Sequence, residues 1–238
     1  MDLSDSRTAG PPGRISAMEA VLSDLRGAIE RGEYPVGAKL PSEAALTRQY
    51  GVSRSVVREA LRAAQALGLT VSRAGKGSYV ASDRPVDNPR FGSYSARDLV
   101  EVRRHVEIPV AGYAALRRSQ DDLDVLAQLI ERMEAETDDT AWVALDTLFH
   151  ITIAEASGNP VFRKVIEEIR DALSRQSIFL NRLAHRRERS DQEHRAILRA
   201  VADGSREAAI EAMSVHLQRV ESTLTTIVRP GRADPRRE

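Results

Sequence analysis

Cysteine is absent from all 238 residues. That excludes disulfides, thiol nucleophiles and Cys-ligated zinc, and leaves His and carboxylates to bind any metal. It also fits a cytoplasmic chain. Long apolar runs are missing as well: nothing approaches the roughly 18 uninterrupted apolar residues of a membrane span. The first residues, MDLSDSRTAGPPGRIS, carry no apolar core of a secretion signal. Lysine is scarce, three against 32 arginines, an imbalance read as coding bias. Net charge is zero.

What is present suits a folded, water-soluble chain, with 42% hydrophobic and 29% charged residues. The length allows one large or two ordinary domains. Charge is unevenly spread: residues 1–82 hold 11 Lys and Arg against 8 Asp and Glu, and the remainder 24 against 27. That permits, without showing, a nucleic-acid partner for the first part.

Punctuation divides the chain. Residues 1–16 read as a disordered arm, 17–82 as a first domain, 83–95 (around RPVDNPRFGSY) as a linker, 96–228 as a second domain and 229–238 as a disordered tail. The second domain shows 3.6-residue periodicity over 96–118, 120–136, 139–157, 160–182, 187–203 and 205–228, with breaks at RRSQDD, ETDDT, SGNP and DGS. Short connections predict an antiparallel bundle of six to seven helices. The first domain reads differently. A helix covers about 17–31, Ser42 and Ser53 cap two more, and LTVSRAGKGSYVA looks like a hairpin with a Gly-rich tip. Three helices, a four-residue turn and a hairpin predict a winged helix-turn-helix, so the whole chain is expected to be mainly α.

In the helix beginning at 54, Val57, Ala60, Leu61, Ala64 and Leu67 form the apolar stripe. Arg54, Ser55 and Arg58 fall off it near the N-terminus, where a recognition helix meets base edges and phosphates. The wing tip adds Arg73, Gly75, Lys76 and Gly77, whose glycines let backbone approach a phosphate. A solvated helix face and an ordinary hairpin are the bland alternative; the ordered set of capped turn, basic helix and basic wing points to DNA.

The stretch KLPSEAAL through YGVSRSVVREALRAAQALGLTVSRAGKGSYV resembles the DNA-binding domain of the GntR family of bacterial transcription regulators, over about residues 17–81. The resemblance implies operator contacts from Arg54, Ser55, Arg58 and the glycines of the wing. One departure stands out: after LPSE the family commonly has an arginine that reaches DNA, and here that position is Ala44, with Arg48 one turn on.

In the second domain the segment DTLFH sets Asp146 and His150 four apart, about 40° around a helix and on the face of Trp142, Phe149 and Ile153. His194 shares a face with Ile197, Leu198 and Val201, and His216 one with Ala209, Met213 and Val220. Three inward histidines from three helices plus an aspartate have the composition of a divalent-metal site, with zinc first and nickel, manganese or iron possible. Taken singly, an inward histidine is more often a hydrogen-bonded core residue than a ligand. His105 and His185 read as surface residues. On the helix 96–118 the predicted stripe is Leu99, Val102, Val106, Val110 and Tyr113, with Arg103 beside it. A buried arginine needs an anion: Glu107 one turn on, an acidic residue on another helix, or a bound carboxylate.

DLVEVRRHVEIPVAGYAAL, DTLFHITIAEASGNPV, DQEHRAIL and AMSVHL resemble the FCD effector domain of the FadR subfamily, over about 96–226. In metal-containing members the pattern is Asp-x3-His followed by one His on each of two later helices, which Asp146, His150, His194 and His216 match. The resemblance also implies a small organic-acid effector contacted by Arg103, and a homodimer on a near-palindromic operator. The expected function is a ligand-responsive DNA-binding transcription regulator, a repressor relieved by its effector. A sensor in which metal is itself the signal is one alternative. A metal-dependent enzyme is the other; it is disfavoured because no separate base or nucleophile stands out.

Overall fold

The computed structural model describes residues 16–228 apart from 87 and 185. The tail, and the arm except for Ser16, lie outside the described residues, as does His185.

The N-terminal unit is built on capped helices. In α1 (Ala17–Glu30), Ser16 accepts from the Glu19 N–H while Glu19 accepts from the Ser16 N–H, a full capping box. Ser42 caps α2 (Glu43–Tyr50), and Gly51 ends it with φ 64°, a left-handed conformation that glycine adopts without strain. Ser53 caps α3 (Arg54–Ala66), whose Val57, Ala60 and Ala64 are fully buried. The wing follows as antiparallel strands β1 (Thr70–Arg73) and β2 (Gly77–Val80), with Thr70 opposite Val80 and Arg73 opposite Gly77.

The segment read as a linker contains a second hairpin, β3 (Arg90–Phe91) with β4 (Tyr94–Ser95). Strands of two residues are too short to show periodicity, so sequence pattern could not reveal them. Ser95 then caps α4 (Ala96–Arg117) through a box with Asp98. The remaining helices are α5 (Gln120–Ala135), α6 (Asp139–Ala156), α7 (Pro160–Ala184), α8 (Arg187–Ala202) and α9 (Arg206–Val228). Among the described residues the bundle therefore has six helices. α4 packs on α9, α6 on α7, α8 on α9 and α5 on α6.

The buried face of α4 differs from the predicted stripe. Leu99 and Val110 are buried, but Val102 is 37% exposed, and Arg103 and Glu107 take the inward positions. The reason is electrostatic: once paired one turn apart, the two charges can occupy core positions that an apolar stripe alone assigns to valine.

Two apolar clusters make the core. One joins the winged helix to the bundle, with Leu25, Ala64 and Leu69 sharing a cluster with Phe91, Leu99, Phe179 and Leu224. Within it Phe91 and Phe179 meet edge-to-face, ring centres 5.5 Å apart. The second fills the bundle around Met133, Trp142, Phe149, Ile153, Ile197 and Met213. Each fully buried Leu or Ile contributes about 1.5–3 kcal/mol. A small cavity lies at the boundary, lined by Leu180 and Val220 from the first cluster and Trp142 from the second.

Candidate functional site

Arg54, Ser55 and Arg58 are exposed around the N-terminal turns of α3, on the side away from the buried alanines. Ser55 Oγ is 2.7 Å from Ser53 Oγ, so the capping serine also orients it. Arg58 is held by Glu43 of α2, Nη2 to Oε2 3.0 Å, and this hydrogen bond lowers the Glu43 carboxyl below its usual range. In the wing Arg73, Gly75, Lys76 and Gly77 are exposed. The Arg73 guanidinium lies 4.5 Å from the centre of the Tyr79 ring, which stiffens it. Gly75 has φ 68° with open space where a Cβ would stand, so conformation and not crowding requires glycine there. Arg48 is exposed in the last turn of α2, one turn from the half-buried Ala44.

In the bundle the structure brings the predicted inward residues together. His150 from α6, His194 from α8 and His216 from α9 are all buried, and one nitrogen from each falls within 4.8 Å of the others. Asp146 Oδ1 lies 3.3 Å from His194 Nε2 and 3.7 Å from His150 Nε2. Ser177 of α7 donates to Asp146 Oδ2 at 3.3 Å. His105 is exposed, as expected, and its Nδ1 lies 2.7 Å from the Glu101 carbonyl.

Arg103 is 5% exposed, and its partner is Glu107: Nε to Oε1 2.6 Å and Nη2 to Oε2 3.1 Å. The bland alternative for Arg103 is thus realised, and yet the guanidinium still borders the cavity, with Nη2 3.5 Å from His150 Nε2. Burial alone would raise the Glu107 carboxyl. The charge of Arg103, then His150, outweighs burial and holds it well below the usual range.

A second buried pair was not foreseen. Arg186, 2% exposed, forks onto Glu193, Nη1 to Oε1 3.2 Å and Nη2 to Oε2 2.6 Å. Glu193 Oε2 also accepts from His216 Nδ1 at 2.8 Å. That bond fixes the His216 tautomer and leaves its Nε2 lone pair free. Glu107 Oε2 stands 3.0 Å from His150 Nδ1, off the line of a good hydrogen bond. Two imidazoles therefore carry a carboxylate behind them. The available signal was spacing: Ser190, Glu193 and Ile197 recur as one buried stripe along α8, and Arg186 at its N-cap lies buried one turn before them.

Among the described residues neither ring nitrogen of His194 has a hydrogen-bond partner, although the side chain is fully buried. An unsatisfied buried polar group costs about 1–3 kcal/mol. Burial holds His194 and His216 well below the ordinary imidazole range, so both rings are neutral and each has a lone pair to give. Neutral, convergent nitrogens beside a carboxylate, on one ring of which neither nitrogen is hydrogen-bonded among the described residues, are a donor set that fits a divalent metal.

Residues 17–80 match "Bacterial regulatory proteins, gntR family" and residues 98–219 match "FCD domain". The HTH-type transcriptional regulator LutR of Bacillus subtilis is 32% identical over 210 residues, 83% of this chain and 96% of LutR. The HTH-type transcriptional repressor NanR of Klebsiella aerogenes is 31% identical over 228 residues, 90% of this chain and 87% of NanR. Among solved structures, Streptococcus agalactiae GntR aligns at 31% identity and TM-score 0.45, covering 86% of this chain and 99% of that one. No helix among the described residues is long and apolar enough to cross a membrane.

Proposed function

The chain belongs to the gntR family of bacterial regulatory proteins, a DNA-binding transcription regulator with an FCD effector domain, and we propose that this domain holds a divalent metal and a small carboxylate together. The metal ligands are Asp146, His150, His194 and His216, a donor set best suited to zinc, with nickel, manganese and iron accepted by the same atoms. When bound, the metal supplies a positive charge that draws an anion. Arg103, on the wall of the same cavity, orients the carboxylate. The observation that carries this is the convergence of three buried imidazole nitrogens within 4.8 Å, one ring having no hydrogen-bond partner among the described residues.

The working unit is a homodimer on a near-palindromic operator. Arg54, Ser55 and Arg58 read the major groove; Arg73, Gly75, Lys76 and Gly77 follow the backbone. Two helices link cavity to DNA. α4 carries Arg103 at the site and Leu99 in the cluster shared with the winged helix, while α7 carries Ser177 at the site and Phe179 against Phe91. A ligand that favours one seating of these helices changes the spacing of the two recognition helices, and so operator affinity. Klebsiella NanR is named a repressor, and the same sign is extended here: the effector releases DNA.

The test starts from a duplex selected for binding in vitro. Small carboxylates are first screened by thermal shift with and without zinc, since a ligand of the folded state raises apparent stability. Hits are then titrated against operator binding. Release that needs both zinc and acid supports the proposal. Release by metal alone makes the chain a metal sensor, and turnover of the acid makes it an enzyme. His194→Ala with His216→Ala is expected to lose metal and effector response together while staying folded.

A further inference from the structure

The segment between α1 and α2 joins the wing. The Leu40 N–H donates to the Ser78 carbonyl, the Gly37 N–H to the Val80 carbonyl and the Val80 N–H to the Ala38 carbonyl, each at 2.9 Å. Residues 37–40 therefore run antiparallel to β2 as a third strand, with Lys39 opposite Tyr79. Residues directly opposite one another share a face of a sheet, and so do alternate residues along a strand. Lys39, Tyr79 and Val71 thus form one row, and Gly77 and Arg73 the next row towards the tip of the wing. The other face carries Leu40, Thr70 and Val80, all buried.

The outer face is cationic and carries no acid. No aspartate or glutamate occurs between Glu33 and Glu43, or between Glu59 and Asp83. Lys39 is exposed, and among the described residues its ammonium has no ion-pair partner. Its Cε lies 3.4 Å from where a Cβ on Gly77 would stand. The Lys39 stem therefore crosses the bare α-carbon of Gly77, one row nearer the tip than its own backbone. Arg73 rests on the Tyr79 ring of the same face, and Lys76 follows at the tip. The outer strands of a three-stranded ribbon lie about 10 Å apart, so Lys39 and Arg73 stand over different anionic groups. Cations set out in a line, with no carboxylate between them, fit an extended polyanion better than a compact one.

We propose that Lys39 holds a DNA backbone phosphate, so that the outer face of the wing sheet extends the interface of the tip along one strand of the duplex. The proposal rests on the DNA-binding reading of the winged helix. Such a contact positions the duplex and reads no base. Gly77 then serves twice: its φ of 94° suits glycine, and its missing side chain leaves the lane that Lys39 follows.

The experiment uses the full-length chain without effector and two labelled duplexes, one selected for binding in vitro and one of unrelated sequence. Association constants are measured by fluorescence anisotropy over a salt series. Each phosphate neutralised contributes about 0.9 to the slope of log K against log salt. Lys39→Gln is expected to make that slope shallower by about 0.9 and to weaken both duplexes by the same factor, about five- to tenfold near 0.1 M salt. Lys164→Gln makes the same charge change at an exposed position of α7 and should leave the slope unmoved. An unmoved slope in Lys39→Gln, an equal change in Lys164→Gln, or weakening of the selected duplex alone overturns the proposal. If Lys39→Gln does not fold, Val71→Glu decides, because it sets a carboxylate in the Lys39 row: weaker binding of both duplexes is expected, and undiminished binding overturns the proposal. A parent chain that binds neither duplex removes the DNA-binding reading and this proposal with it. A parent that binds both, with Lys39→Gln indistinguishable from it, removes only the role of Lys39.

Discussion

Arg58 on α3 and Arg103 on α4 each pair with a glutamate, Arg58 with Glu43 at 3.0 Å and Arg103 with Glu107 at 2.6 Å. The first pair stands in water, with side-chain exposures of 55% and 42%; the second is buried at 6% and 2%. In water the pair is weak, and Arg58 can leave Glu43 for a phosphate at little cost. In the bundle neither charge can separate without stranding the other. The winged helix thus keeps its cations exchangeable, as binding a polyanion requires. The bundle commits its cations to internal partners, so the proposed carboxylate would be held by the proposed metal, by shape and by N–H groups not engaged in those pairs.

The contrast can be broken most forcefully at Glu193, which supports both Arg186 and His216. Glu193→Ala strands a buried guanidinium and is expected to lower stability by about 3–5 kcal/mol in urea unfolding. A loss below about 1 kcal/mol would mean the pair is solvated. On the exposed side, Arg54→Ala is expected to weaken operator binding by about 1–3 kcal/mol, measured by fluorescence anisotropy, with the unfolding midpoint unmoved. An unmoved operator affinity would take Arg54 out of the interface.

A half-buried group gives the intermediate case. Asp191 accepts from Trp142 Nε1 at 3.0 Å, and burial pushes its carboxyl up to about 6. A folded-state value above the unfolded one means protonation favours the fold. The stability Asp191 contributes is therefore present below about pH 4 and lost as pH rises through about 6. Asp191→Asn keeps an acceptor for Trp142 and cannot ionise. It should equal the parent near pH 4 and gain on it up to pH 7, by about 1 kcal/mol or less after solvent screening. A gap that does not depend on pH would contradict this origin. The smallest effect is expected from Arg58→Ala: operator affinity falls and the unfolding midpoint stays put, since only an exposed pair is lost.

The two regions also differ in how far sequence reveals them. The winged helix is written in local rules: Ser16, Ser42 and Ser53 cap their helices, Gly51 ends one, and Arg54, Ser55 and Arg58 fall off a regular stripe. The histidines of the bundle were equally legible, because Asp146, His150, His194 and His216 sit where apolar residues belong. Their supports were not. Glu107 occurred only as a possible partner for Arg103, and Arg186 lies in the charged stretch AHRRERSD, where composition suggests solvent. Its burial depends on Glu193 two turns along α8, a pairing that hydrophobic periodicity does not weigh. The buried Asn181 of α7 shows itself only through an amide nitrogen with no hydrogen-bond partner among the described residues, which requires coordinates. The hairpin Arg90–Ser95 is too short to signal at all.

Asp146, His150, His194 and His216 are proposed to form one metal site inside a DNA-binding regulator. Zinc bound per chain, measured by elemental analysis after reloading and dialysis, tests it most directly when the parent is compared with the folded His194→Ala and His216→Ala double variant. The account predicts one zinc per chain in the parent and none in the variant. No zinc in the parent, or equal zinc in both, would contradict it.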